Sequence, residues 1–162
     1  MTPKRNIASG QLIPRKDITA AARRLRRSRK KVVFTNGVFD VLHRGHVSYL
    51  AKARSFGDCL IVGLNSDRSV RSFKGKARPL QSQSDRAAIL LALRVVDYVV
   101  IFGEETPDKI IRQIRPDVLV KGADYKLAEI VGAEFVKSIG GRVRRVRLTP
   151  GKSSSRLIRK LG

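Results

Sequence analysis

The stretch that decides the fold is VVFTNGVFDVLHRGHVSYL, residues 32–50. It begins with a short apolar, β-branched run over residues 32–35, which predicts a buried strand. A turn that contains Gly37 follows, and the residues from His46 onward have the pattern of a helix. The stretch also holds both histidines of the chain, His43 and His46, with Gly45 directly before the second. A strand, a glycine-containing turn and a helix in this order predict the first unit of a parallel sheet.

Short apolar runs alternate with helical patterns over the rest of the chain, which is typical of βαβ units and predicts an α/β fold. Ser82 or Ser84 is expected to cap the helix near residue 84, and Thr106 is expected to cap the next one, with Pro107 at its first position. Residues 66–82 are expected to form a long functional loop. The strand candidates are 32–35, 59–64, 97–102, 117–120 and 142–148, and the helix candidates lie near 46–56, 84–94, 106–114, 128–139 and 153–161.

The composition is that of one folded domain. The 162 residues are 42% hydrophobic, which is enough to bury a core without disulfides. The single cysteine, Cys59, excludes an intramolecular disulfide and favours a reducing compartment. The start of the sequence lacks the apolar core of a signal peptide, and no stretch approaches the roughly 18 apolar residues of a membrane span. We therefore expect a cytoplasmic protein with no membrane span.

The net charge of +22 is concentrated at the two ends of the chain. Residues 1–31 carry eleven Lys/Arg against the single acid Asp17, and residues 138–162 carry eight against none. Basic ends can bind nucleic acid, but they are also typical of solvated tails. With no Trp, three Tyr and six Phe, the chain has few platforms for stacking bases, so nucleic acid is not the expected partner. We predict a basic N-terminal arm over residues 1–31, with a helix in it, and one domain over residues 32–162.

The two histidines point to a phosphate-binding site. Ligands of open parallel sheets bind beyond the carboxyl ends of the strands, which is where His43, Gly45 and His46 follow the first strand. A helix that begins there offers unpaired N–H groups to an anion, and imidazoles donate hydrogen bonds to phosphate oxygens. Two histidines and a distant cysteine fall short of a zinc ligand set, so we expect no metal site formed by the protein.

NGVFDVLHRGHVSYL resembles the signature of the nucleotidyltransferase superfamily, whose His-x-Gly-His motif follows the first strand of a Rossmann-like fold of about five strands flanked by helices. Three further segments are similar to the heptose-pathway adenylyltransferases, which make ADP-heptose for lipopolysaccharide and occur alone or fused to a sugar kinase. The resemblance implies transfer of AMP from ATP, with Mg²⁺, to D-glycero-β-D-manno-heptose 1-phosphate, and a homodimer. The three segments are FKGKARPLQSQSDRAAILLAL, TPDKIIRQIRPDVLVKGADY and GKSSSRLIRKL.

The resemblance also implies a role for each matching residue. His43 and His46 would contact the triphosphate and stabilise the transition state, and Lys74 would bridge to the reacting phosphates. Several superfamily members have a basic residue three positions after the last hydroxyl, where this chain has Ile158 followed by Arg159. The other implied contacts are to the nucleotide at Asn36, Gly37, Phe39, Gly45, Arg78, Lys121, Gly122, Asp124, Ser153, Ser154 and Ser155, and to the sugar phosphate at Asp40, Asn65 and Asp67.

Two other functions stay open at this point. A cytidylyltransferase that acts on glycerol 3-phosphate or a related alcohol phosphate shares the histidine motif. A basic nucleic-acid-binding protein on a Rossmann scaffold is the alternative of a different class, and it predicts salt-sensitive binding without turnover.

If the acceptor is a sugar phosphate, no general base is needed, because its phosphate is mostly dianionic at pH 7. The histidines are therefore expected to act as hydrogen-bond donors and not as proton relays.

Overall fold

Six parallel strands form one sheet in the computed structural model, which describes residues 10–162. The strands are β1 (Gln11–Leu12), β2 (Val32–Gly37), β3 (Cys59–Asn65), β4 (Tyr98–Phe102), β5 (Val118–Gly122) and β6 (Arg142–Val146). The helices among these residues are α1 (Ile18–Arg27), α2 (Arg44–Arg54), α3 (Asp67–Lys74), α4 (Gln83–Ala92), α5 (Asp108–Ile114), α6 (Ala133–Ser138) and α7 (Ser154–Leu161). The predicted α/β, Rossmann-like fold is confirmed.

The strand order reverses beside β2. The order across the sheet is β1-β4-β3-β2-β5-β6, so the chain builds outward from β2 on one side and then returns to build on the other. Phe34 of β2 lies between Ile61 of β3 and Leu119 of β5. Ligands of such sheets bind outside the carboxyl ends of the strands at the point of reversal. The topology therefore places a ligand site beyond the ends of β2 and β5.

The core lies on both faces of the sheet. Because successive side chains of a strand point to opposite faces, Val33 and Phe34 contribute to two different apolar clusters. The cluster that contains Phe34 also includes Ile18 of α1 and Ile111 of α5. The cluster that contains Val33 also includes Leu50 of α2 and Leu90 of α4. Burial on both faces explains why the strands read as continuous apolar runs.

Residues 10–31, which the sequence assigns to the basic arm, pack against the sheet and add β1 to the five predicted strands. Gln11 of β1 pairs with Tyr98 of β4, and α1 buries Ile18, Ala22 and Leu25. A strand of two residues leaves no apolar run to detect, and the narrow apolar stripe of α1 stands among basic residues. Residues 1–9 of the predicted arm lie outside the described residues.

The expected loop at residues 66–82 contains helix α3. Ser66 caps this helix, because its Oγ accepts a hydrogen bond from the Ser69 N–H at 3.1 Å. The only buried residues of the helix are Ser69 and Val70, so its apolar periodicity is too weak to predict a helix.

The predicted helix ends are partly right. Ser82 caps α4, since its Oγ accepts from the Asp85 N–H at 3.1 Å. Thr106 does not cap α5, whose N-cap residue is Pro107 without a side-chain hydrogen bond. The helix expected at 128–139 is shortened to α6, because Gly132 has φ of 83°, a left-handed conformation that interrupts the helix.

The burial of α1 can be tested by truncating Ile18, which is 0% exposed. Ile18→Ala should lower the free energy of unfolding by about 2–5 kcal/mol, because it leaves a cavity between α1 and the sheet. Urea titration measures the change, and Arg23→Ala on the exposed side of the same helix is the control. Equal stability of the two variants would mean that α1 is an appendage after all.

Candidate active site

A cavity of about 1160 Å³ lies at the carboxyl ends of β2 and β5, where the strand order reverses. It collects every site residue that the sequence predicts, apart from Asp67. Those residues are Asn36, Gly37, Phe39, Asp40, His43, Gly45, His46, Asn65, Lys74, Arg78, Lys121, Gly122, Asp124, Ser153, Ser154 and Ser155.

The two histidines are held by the backbone at the start of α2. His43 is the N-cap residue, and its Nδ1 accepts a hydrogen bond from the Gly45 N–H at 3.0 Å. The Nδ1 of His46 accepts from the His43 N–H at 3.4 Å. The two rings stack with their centroids 3.9 Å apart. Because both Nδ1 atoms accept hydrogen bonds, each neutral ring carries its proton on Nε2 and can donate from that atom.

Both rings are electrically neutral at physiological pH. Burial, aided by the charge of His43, lowers the pKa of His46 to about 4. Burial and the positive charge of Lys152 lower the pKa of His43 as well. The lowered pKa values therefore favour neutral rings over cationic ones.

Gly45 is required by the protein's own side chains. A Cβ atom at this position would lie 2.8 Å from Cε1 of His43 and 3.1 Å from Cβ of Lys152. Its N–H is also bonded to His43. This corrects the expectation that Gly45 leaves room for a ligand and offers it a free N–H group, since the His43 ring occupies that place.

Asp40 anchors the segment that follows α3. It is 1% exposed, and it accepts hydrogen bonds from the backbone N–H groups of Leu80 and Gln81 and from Nε of Arg78 at 2.8 Å. Burial alone would raise the pKa of Asp40, but the hydrogen bonds from Gln81, Leu80 and Arg78 hold it below its usual range. Asp40 therefore positions Arg78 at the cavity, and its own oxygens are largely occupied.

Two lysines line the cavity in partly desolvated positions. Lys74 ends α3, and burial together with the nearby Arg78 lowers its pKa against the opposing effect of Asp40. Burial also lowers the pKa of Lys121 at the end of β5, with Asp124 opposing, and its Nζ lies 4.9 Å from the centre of the Tyr125 ring. Charges held in such surroundings interact more strongly with an anion than charges in open water.

The serines at the start of α7 have different partners. Oγ of Ser153 accepts from the Arg156 N–H at 3.1 Å and so caps the helix. Oγ of Ser154 donates to the carbonyl of Val41 at 2.8 Å, which ties α7 to the segment that leads to the histidines. Ser155 lines the cavity beside them.

Asp67 lies outside the cavity lining, so the structure does not bring it together with the other predicted sugar-phosphate residues. Its Oδ1 accepts from Nη2 of Arg86 at 2.7 Å. Arg86 is 1% exposed and also donates to the carbonyls of Val38 and Gln81. Asp67 and Arg86 thus join α3, α4 and the segment after β2. No sequence pattern distinguishes Arg86 from the other charged residues of the predicted helices.

A buried polar link connects the histidine helix to β5. The hydroxyl of Tyr49 in α2 lies 2.8 Å from Oγ1 of Thr35. Both hydroxyls also lie within hydrogen-bonding distance of the Val120 carbonyl, Tyr49 at 3.2 Å and Thr35 at 3.0 Å. Burial raises the pKa of Tyr49 to about 12, so it remains a neutral donor. The link fixes the distance between the histidines and the segment that begins with Lys121.

Several lining residues were not predicted. Polar groups of α3 and of the segment after β4 line the cavity, and Lys152 lies beside His43. The missed helix α3 accounts for the first group, because a loop gives no indication of which side chains share a face. The unpredicted polar lining residues include Arg68, Ser69, Ser72, Glu105, Thr106, Glu129, Thr149 and Lys152.

The described residues contain no group of three or more His, Cys, Asp or Glu side chains that could hold a metal ion. Asp40, the buried carboxylate of the cavity, already accepts from Arg78, Leu80 and Gln81. Mg²⁺ commonly binds through substrate phosphates and few protein carboxylates. The residues therefore fit an ion carried by a nucleotide, and they do not form a cage of their own.

None of the helices within residues 10–162 has the length and apolar character needed to cross a membrane.

The fold and the site define a family. A family model described as cytidylyltransferase-like matches residues 34–160, and the chain belongs to that family. The bifunctional protein HldE of Campylobacter curvus is 58% identical over 135 residues, which are 83% of this chain and 28% of that protein. HldE of Wolinella succinogenes is 52% identical over 151 residues, 93% of this chain and 31% of that protein. The chain therefore spans less than a third of the length of these curated relatives.

Two solved structures share the fold. The lipopolysaccharide core biosynthesis protein from Thermoplasma volcanium is 32% identical, with a TM-score of 0.59 over 74% of this chain and 97% of that one. The pantoate-beta-alanine ligase from Francisella tularensis has a TM-score of 0.65 over 90% of this chain and 69% of that one, at 17% identity, and it shares the fold.

The low pKa of His46 predicts a pH dependence of stability. Folding lowers this pKa from 6.5 to about 4, so the unfolded chain binds the proton more readily between these values. The contribution of His46 should be complete above pH 6.5 and should decline as the pH falls towards about 4. Urea titrations of wild type and His46→Gln measure it as a difference in unfolding free energy that shrinks over this range. A difference that does not change with pH would contradict the assigned pKa.

Proposed function

We propose that the chain transfers AMP from MgATP to D-glycero-β-D-manno-heptose 1-phosphate, giving ADP-heptose and pyrophosphate. The observation that carries the proposal is the pair of fixed Nε2 donors, His43 and His46, in one cavity with Lys74 and Lys121. The excess of donors and cations suits a polyanionic substrate. The three segments that resemble heptose adenylyltransferases supply the choice of acceptor.

The proposed chemistry is a direct displacement. A phosphate oxygen of the sugar 1-phosphate attacks the α-phosphorus of ATP, and the bond from that phosphorus to the bridging oxygen of the pyrophosphate breaks. The attacking phosphate is mostly dianionic at pH 7, so no general base is required. The protein's part is to align the two substrates and to stabilise the charge that moves onto the equatorial and leaving oxygens. His43 and His46 donate from Nε2 to the α-phosphate, and Lys74 bridges to the reacting phosphates.

The other predicted residues divide between the two substrates. The nucleoside is proposed to contact the end of β5, at Lys121, Gly122 and Asp124, and also the residues after β2. A phosphate of the nucleotide is proposed to contact Ser153–Ser155. Asn65 is proposed to face the sugar phosphate, and its Nδ2 donates to Oγ of Ser69 in α3 at 3.0 Å. Asp40 is proposed to act by holding Arg78, because its oxygens accept from protein donors.

The relatives are compatible with this proposal. Their name describes a bifunctional protein, and the chain matches less than a third of its length. That agrees with an adenylyltransferase that occurs either alone or fused to a sugar kinase. We further propose a cytoplasmic location, where ATP is available, and a homodimer.

The proposal is tested by a panel of nucleotides and acceptors with pyrophosphate release as the readout. With heptose 1-phosphate, ATP should exceed CTP by at least about tenfold in kcat/KM, which corresponds to about 1.4 kcal/mol of transition-state binding. The His46→Ala variant, purified in the same way, controls for contaminating enzymes. Equal use of CTP, or turnover with glycerol 3-phosphate instead of the heptose, would favour the cytidylyltransferase. Salt-sensitive nucleic-acid binding without any turnover would favour the binding protein.

A further inference from the structure

The loop between β6 and α7 places a lysine beside the histidine pair. Lys152 directly precedes Ser153, the N-cap residue of α7, and its Cβ lies 3.1 Å from the position that a Cβ on Gly45 would occupy. The His43 ring is the other neighbour of that position, at 2.8 Å. The side chain of Lys152 therefore starts immediately over the first turn of α2 and lines the cavity.

Lys152 is distinguished from the other cations near this end of the chain. Residues 138–162 carry eight Lys and Arg, and Lys152 is the one among them that lines the cavity. Arg156 turns a terminal nitrogen towards Gly151, and Arg159 lies further along the exposed side of α7. One cation of this basic segment therefore contributes to the cavity lining.

The proposed reaction places negative charge on its leaving group. When the bond between the α-phosphorus and the bridging oxygen breaks, its electron pair stays with the departing pyrophosphate, which gains one negative charge. The sugar phosphate loses one negative charge as its oxygen joins the α-phosphorus, so the step balances without proton transfer. His43 and His46 are neutral and donate hydrogen bonds, so they supply no full positive charge to the leaving group.

We propose that Lys152 is a catalytic residue that contacts the β- and γ-phosphates of ATP and stabilises the departing pyrophosphate. This inference rests on the proposed function. A lysine suits the role because its flexible stem lets a compact charge follow a group that moves away from the reacting centre. The positive charge of Lys152 also reaches His43, whose pKa is lowered first by burial and then by this lysine.

The test compares Lys152→Gln with Arg159→Gln, a matched control that removes the same charge from an exposed residue outside the cavity lining. Lys152→Gln should lower kcat by at least about tenfold, as the loss of one electrostatic contact to the transition state does. Arg159→Gln should stay within about twofold of wild type, and Lys152→Arg should recover part of the rate because it keeps the charge. Equal rates for the two Gln variants would overturn the assignment.

Two further measurements need no sugar phosphate and so separate this inference from the proposed function. Calorimetric titration with pyrophosphate should show at least about fivefold weaker binding to Lys152→Gln than to Arg159→Gln, since a charged contact is lost. NMR titration of the free proteins should show a higher pKa for His43 in Lys152→Gln than in wild type, and an unchanged pKa in Arg159→Gln. If wild type binds pyrophosphate but fails to adenylylate the heptose phosphate, the proposed function is wrong. The comparison of pyrophosphate affinities still tests the role of Lys152 in that case. Equal affinity in the two Gln variants, or an unchanged His43 pKa, would overturn that role.

Discussion

The hydrogen bonds from two backbone N–H groups to two imidazoles are the constraint on which the site depends. The N–H groups of Gly45 and His43 are donors that a helix N-terminus leaves without helical partners, and the Nδ1 atoms of His43 and His46 accept from them. The same bonds cap α2, fix both tautomers and leave Nε2 as the donor. Gly45 belongs to this arrangement because any side chain there would strike the His43 ring. The motif His-x-Gly-His therefore has a structural explanation in the protein itself.

The other elements hold their residues at fixed distances from this pair. Tyr49 and Thr35 link α2 to the end of β5, and Ser154 links α7 to the segment before the histidines. Asp40 and Arg86, both almost fully buried, link the segment after β2 to the segments around α3. Buried polar groups of this kind are costly if one partner is lost, so they define one arrangement of the cavity. A preorganised cavity is what a displacement without acid–base catalysis requires.

The amino-acid sequence predicts the parts of this structure that depend on local pattern. β-Branched runs located five of the strands, and Ser82 was one of two serines expected to cap α4, because capping involves neighbours along the chain. β1 and α3 escaped prediction because each buries few apolar residues.

In the site, too, local patterns were predicted from the sequence and long-range contacts were not. The residues matched by family motifs gather at one cavity, with the exception of Asp67, whose partner Arg86 is 19 positions away along the chain. Lys152 escaped notice because its relation to His43 exists only in three dimensions, across 109 positions of sequence. Roles that depend on long-range pairing are therefore the part that sequence patterns cannot supply.

The central claim is that the histidines act through Nε2 as neutral hydrogen-bond donors. The most direct measurement is kcat for His46→Gln, His46→Asn and His46→Ala under saturating substrates. A Gln amide nitrogen reaches about as far from the backbone as Nε2, whereas an Asn amide nitrogen reaches only as far as Nδ1. The account predicts that Ala and Asn lose about 10²–10³-fold, as removal of a preorganised donor does, and that Gln recovers a substantial part. Equal losses in all three variants, with rescue by added imidazole, would show that His46 transfers a proton and would contradict the account.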